Sequence, residues 1–176
     1  MPATANNLLE NLCACAALRS AARSLTQLYD LVLQPAGLKA TQFIALKSIA
    51  QAGEIAQWKY ARDHAVAVET LSRRLAALRK RGLVRVRKGD RHGKRIYALS
   101  EQGKKVLSDA LPYWERAQQR LRVTLGDPEF HLLLELCGKT VEAARKAEQL
   151  RTANFPAMGT ATDSITSPRL ADLASR

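Results

Sequence analysis

Between Arg73 and Arg95 the chain carries eleven cations: Arg73, Arg74, Arg79, Lys80, Arg81, Arg85, Arg87, Lys88, Arg91, Lys94 and Arg95. Only Asp90 opposes them. Eleven cations less one carboxylate put +10 into 23 residues, out of a net +12 for the 176-residue chain. Charge concentrated in this way attracts a polyanion, because each phosphate it neutralises releases condensed counterions. The other chemistry-bearing residues are sparse. His64, His92 and His131 are far apart in sequence and lack clustered carboxylates, so no metal site is expected. There is no nucleophile–base pairing, no phosphate-cradling glycine loop and no paired-acid motif, so neither an enzyme nor a cofactor is expected.

Cys13, Cys15 and Cys137 are odd in number and lack zinc-ligand spacing. A secreted disulfide framework is therefore not expected, and the chain reads as a reduced, cytoplasmic protein. Its first residues, MPATANNLLE, carry no basic leader. The apolar run CACAAL is cut off by Arg19, so no membrane segment is expected. A hydrophobic content of 47% is enough to build a core without metal or disulfide staples.

These residues need elements to position them. Apolar residues from Leu8 through Leu12, Cys15, Leu18, Ala22, Leu25 and Tyr29 to Leu33 recur at helical spacing, predicting a helix over about 7–34. At ~1.5 Å per residue such a helix is longer than a small domain needs, so its stripe should meet a partner subunit. Leu38 to Ala50 predicts a second helix, and Ile55 to His64 a short third one. Val66 to Arg81 predicts a fourth, with Leu71, Leu75 and Leu78 facing inward. Two short helices a few residues apart, the second rich in Thr, Ser and Arg, make a helix-turn-helix pattern. Ala67 stands where a capping Ser, Thr or Asp would be expected.

Gly82 then stops the helix. Leu83 to Arg87 alternates apolar and basic residues, Arg95 to Leu99 returns, and the turn between them carries cations at its tip. A basic hairpin directly after such a helix is a wing suited to a minor groove. Ser100 opens a long helix that Pro112 should bend. Asp127 and Pro128 restart another, reaching about Arg151, with Phe130, Leu133, Leu134, Cys137, Val141 and Ala144 along its stripe. From Thr152 to Arg176 the composition is that of a disordered tail.

The phrases LRSAARSLTQLYDLVLQPAGLKATQFIALKSIA, ETLSRRLAALRKRGLV and RIYALSEQGKKVL, in this order of elements, resemble the MarR family of transcriptional regulators over roughly Leu12 to Leu150. The resemblance implies a mainly α winged helix-turn-helix fold with a small β-hairpin wing and long terminal dimerisation helices. One domain would span 1–151, with dimerisation helices at about 7–34 and 101–151 and a DNA-binding lobe at about 38–100. It implies a homodimer on a pseudo-palindromic double-stranded operator, acting in most cases as a repressor, released by a small aromatic ligand or by oxidation. An architectural nucleic-acid binder without an effector is the alternative reading.

Thr70, Ser72, Arg73 and Arg74 are the expected groove and phosphate contacts of the recognition helix, and Arg91, Lys94 and Arg95 those of the wing, with Arg91 at its tip. LCACAALRSAARSLTQLYD further resembles the hydroperoxide-sensing branch of the family. That likeness puts Cys15 at the reactive cysteine and Tyr29 at a tyrosine that holds the thiolate. The two are fourteen residues and ~21 Å apart along one helix, so they could meet only across a dimer. Cys13 and Cys15 project to nearly opposite sides of the helix and should not bridge each other, and should Cys15 be oxidised, the partner subunit's Cys137 is one candidate for the resolving thiol. Trp58, Tyr60 and His64 have two readings, filling core or lining a pocket for an aromatic ligand.

Overall fold

The computed structural model describes residues 13–89 and 95–154. Their contacts divide into two units, residues 1–131 and 132–176. The first unit opens with helix α1 (Ala14–Leu33), which a 3-10 turn at Gln34–Ala36 ends. Gly37 closes that turn with φ 64°, the left-handed region a residue without Cβ enters at no cost. Helix α2 (Ala40–Ala52) follows, then strand β1 (Glu54–Ala56), helix α3 (Gln57–Asp63) and helix α4 (Val68–Lys80). Strands β2 (Val84–Lys88) and β3 (Arg95–Leu99) form the hairpin, and helix α5 (Glu101–Leu125) leaves it.

Helix α6 (Asp127–Asn154) begins in the first unit and continues as the second. Three of the residues expected for the tail, 152–154, are thus helical. The remainder of that segment, residues 1–12 and the wing tip at 90–94 lie outside the described residues. Helix α5 runs on through Pro112, where the sequence predicts a bend.

The core of the first unit gathers Leu33, Phe43, Leu46, Ile49, Leu71, Leu75, Leu78 and Leu83, each no more than 1% exposed. Three helices and the hairpin thereby bury their apolar sides together, at roughly 1.5–3 kcal/mol per fully buried large side chain. The three leucines of α4 lie at i, i+4 and i+7, as the sequence predicts, and all face this core.

The sheet differs from the expectation of a bare hairpin. Residues 54–56, of which 55 and 56 were expected in the third helix, form a third strand, and the order is β1-β3-β2. Ile55, 7% exposed, pairs with Tyr97, 4% exposed, so burial against the core draws this segment into the sheet. Three residues are too few to show a strand's alternation in the sequence. The antiparallel register puts Ile55, Tyr97, Leu99 and Val84 on the inner face. Glu54, Ala98, Ile96, Arg85 and Arg87 therefore share the outer one.

Two backbone details join α4, the sheet and α5. Ser100 caps α5 by accepting the Gly103 N–H at 2.9 Å, and its hydroxyl donates to the Gly82 carbonyl at 2.6 Å. Gly103 sits so close to the hairpin that a Cβ there would lie 1.9 Å from the Leu83 carbonyl oxygen. No helix among the described residues is long and apolar enough to cross a membrane.

Candidate nucleic-acid interface

Helix α4 has no side-chain cap, since its N-cap is Ala67. Its start is fixed from α3 instead. The Gln57 side-chain amide donates to the Ser72 hydroxyl at 2.5 Å, and that hydroxyl donates to the Val68 carbonyl at 2.8 Å. Ser72, expected to contact phosphate or a base edge, thus holds the two helices of the helix-turn-helix together. Gln57 gives no signal in the sequence, because its role depends on a residue 15 positions away.

The leucines define the opposite, open face of α4. At 100° per residue Arg73 lies directly across from Leu71, Leu75 and Leu78, and Glu69 and Lys80 share its side. Arg73, Glu69 and Lys80 are exposed, while Thr70 and Arg74 are half-buried at the flank. Arg74 lies near the Tyr60 phenol, whose pKa is raised by burial, with Ser48 and Arg74 working against the rise. Arg73 thus points outward, and Arg74 is close to α3.

Some of the basic block is already engaged. Arg81 donates to the Gln42 side-chain oxygen at 3.3 Å, latching the end of α4 to the start of α2. Arg87 donates two hydrogen bonds to Glu54, at 2.6 and 3.3 Å. Arg85 is near enough to Glu54 and Glu101 to help lower the pKa of each. The outer face of the sheet is thus closer to electrical balance than the sequence tally suggests. Arg95 is exposed in β3, whereas Arg91 and Lys94 fall outside the described residues.

Tyr60, 3% exposed, belongs to the core, and the His64 ring stacks on it with centroids 4.2 Å apart. Burial lowers the His64 pKa, partly opposed by Asp63. Trp58 is 46% exposed, with the Arg62 guanidinium 5.1 Å from its ring. A cavity of about 240 Å³ lies between α1, α2 and α5, lined by Leu25, Tyr29, Phe43, Trp114 and Gln118 among others. Its lining among the described residues carries no charged side chain. Trp114 stacks on Phe43 with centroids 5.9 Å apart, and the Lys47 ammonium lies 3.3 Å from the Trp114 ring centroid. Sequence periodicity marks these residues as ordinary helix-stripe positions, so the cavity has no signature of its own.

Cys13, the N-cap of α1, and Cys15 are both exposed free thiols, as is Cys137 in the second unit. Tyr29 is half-buried against the core, and burial raises its pKa. Among the described residues no group of three or more His, Cys, Asp or Glu could hold a metal.

No family model and no curated protein matches the chain. Solved structures do. The Mycobacterium tuberculosis transcriptional regulator MosR in complex with DNA is 35% identical, over 76% of this chain and 99% of that one, with a TM-score of 0.67. A second structure of MosR is 36% identical over 76% of this chain and 98% of that one, with a TM-score of 0.65. A cysteine mutant of Escherichia coli MarR complexed with operator DNA shares the fold, at 21% identity, a TM-score of 0.67 and coverage of 76% and 96%. These relationships, with the sheet order and the α3–α4 pair, define a winged helix-turn-helix transcriptional regulator. The chain belongs to the MarR family.

Proposed function

We propose that the chain acts in the cytoplasm, without enzymatic activity, as a homodimer that binds a pseudo-palindromic operator and represses the adjoining genes. One observation carries this reading: Arg73 stands exposed on the face of α4 directly opposite three leucines that fix the helix to the core. An arginine so anchored can donate two hydrogen bonds to a guanine edge, which discriminates by ~1–3 kcal/mol. Thr70 and Arg74 at the flank, and the wing cations Arg91, Lys94 and Arg95, supply phosphate and minor-groove contacts.

Dimerisation is supported by large apolar side chains that a lone chain would leave in water. Leu31 is 68% and Val123 72% exposed in the first unit, and Leu132, Leu134 and Leu136 are about half exposed in the second. Two copies would present two α4 helices to successive major grooves of one site.

Release follows when an effector favours a dimer geometry that no longer fits both half-sites. The α1–α2–α5 cavity suits a small uncharged aromatic molecule, with Tyr29 and Gln118 as its polar handles. Oxidation of the exposed Cys15, with Tyr29 and the partner subunit's Cys137 in supporting roles, is the second route.

Selection of bound sequences from a random DNA pool tests the reading. A regulator yields a palindromic site preferred by ~10³ or more over random duplex. Equal affinity for all sequences would mark an architectural binder, and salt-independent binding, or none, would end the DNA reading.

A further inference from the structure

The open face of α4 carries two exposed side chains of opposite hydrogen-bonding chemistry, Glu69 and Arg73. They stand four residues apart, ~6 Å along the helix axis. At 100° per residue each falls within about 30° of the line directly opposite Leu71, Leu75 and Leu78. The remainder of that face is Ala76, Ala77 and Lys80, all exposed. The alanines offer only methyl groups, and Lys80 is the last residue of the helix. A recognition helix reads bases with its N-terminal half, so on this face hydrogen bonding to base edges falls to Glu69 and Arg73. Neither side chain makes an ion pair or a hydrogen bond among the described residues.

Resting on the reading of α4 as the base-contacting helix, we propose that Glu69 is a specificity residue that accepts a hydrogen bond from the N4 amino group of a cytosine in each half-site, close to the guanine that Arg73 reads. Glu69 is the one carboxylate of α4 and lies in its first turn. An ionised carboxylate can only accept. Phosphate oxygens, guanine N7 and O6, and thymine O4 are acceptors too, and repel it. The donors of the major groove are cytosine N4 and adenine N6, and the adenine amino group stands beside the N7 acceptor. Cytosine is therefore the base that suits Glu69. Arg73 has the inverse need, because a guanidinium only donates and guanine offers it two acceptors. Glu69 adds nothing to phosphate binding, and it selects as much by repelling the wrong bases as by holding the right one. A first-turn carboxylate also complements the helix dipole, but that role is indifferent to the base opposite it.

Selection from a random DNA pool with wild type, Glu69→Ala and Glu69→Gln tests this, with thermal unfolding as the check that each folds. Wild type should fix a cytosine in each half-site, preferred ~5- to 150-fold over other bases. Glu69→Ala should select the same site with that one position relaxed. Glu69→Gln should turn the position toward adenine, since an amide can both accept from N6 and donate to N7. In the selected site, replacing the cytosine by 2-pyrimidinone, which lacks the 4-amino group, should weaken wild type ~5-fold or more and leave Glu69→Ala unaffected. Glu69→Ala should bind random duplex at least as tightly as wild type.

The proposal fails if either variant keeps the wild-type cytosine preference, or if 2-pyrimidinone weakens wild type and Glu69→Ala equally. It also fails if Glu69→Ala loses affinity equally for selected and random duplex, which would assign Glu69 to helix stability. Each of these results leaves the wild-type site in place. A wild type that prefers no sequence would instead bring down the reading of α4, and this proposal with it.

Discussion

The carboxylate of Asp30, on α1, accepts the backbone N–H of Ala40 at 2.7 Å and so caps the first turn of α2 from a different helix. Lys39 adds an ion pair to the same carboxylate at 3.5 Å. A contact of this kind joins a helix expected at the dimer interface to the lobe that carries α4. Asp30→Ala should cost about 1 kcal/mol, the usual value of a lost cap, and lower the melting temperature by roughly 2–4 °C. Thermal unfolding followed by circular dichroism measures it. An unchanged melting temperature would mean that Lys39 and Gln42 suffice to cap α2.

Gln57→Ala removes the donor that fixes the Ser72 hydroxyl, and with it the tie between α3 and α4. About 1 kcal/mol of stability should be lost. Affinity for a selected site should drop more than affinity for random duplex, because positioning matters only where bases are read. Equal losses on both DNAs would assign Gln57 to stability alone.

Gly103→Ala should be the most damaging small change in the first unit. Its Cβ would meet the Leu83 carbonyl at 1.9 Å, and the atom in the way is backbone, so the hairpin and α5 must separate. Overpacking of this sort costs ~1–3 kcal/mol or more. Chemical denaturation reads it out, and a loss below the gain in helix propensity would show that the junction yields easily.

Acidification should weaken the fold through His64. Its pKa is lowered in the folded chain by burial against Tyr60. The unfolded chain, titrating near ~6.5, then binds more protons than the folded one, so stability falls as pH drops below that value. The stabilisation is complete above the unfolded pKa and lost as pH falls through the folded one. His64→Gln should flatten the dependence of stability on pH between about 5 and 7. A parallel decline in both proteins would place the acid sensitivity elsewhere.

Cys15 separates the two release routes. If oxidation is the signal, hydroperoxide should free wild-type protein from DNA in a gel-shift titration and leave Cys15→Ser bound. Equal release of both proteins, or of neither, would leave the α1–α2–α5 cavity as the route to examine. Trp114 in its wall would then report occupancy by a change in fluorescence.

Local pattern was enough to read the order of elements, the inward leucines of α4 and the concentration of charge. Periodicity and composition are properties of neighbouring residues, and they survive without knowledge of the rest of the chain. Leu71, Leu75 and Leu78 are an instance: their spacing predicts a core face, and each is no more than 1% exposed. Strand β1, by contrast, exists only because Ile55 is buried beside Tyr97, 42 positions away in sequence.

Tertiary contact also decided which polar residues are available to a ligand. In the sequence Ser72 is one more polar residue of the recognition helix and Arg81 and Arg87 are members of the basic block; the fold adds their partners, Gln57, Gln42 and Glu54. A cation count cannot contain that information, because a charge is spent or free according to what folds against it. The cavity beside Trp114 follows the same logic, since it belongs to three helices at once. The sequence by itself determined that this chain presents a recognition helix and a basic wing. Packing at long range decided which of their side chains are left to meet DNA.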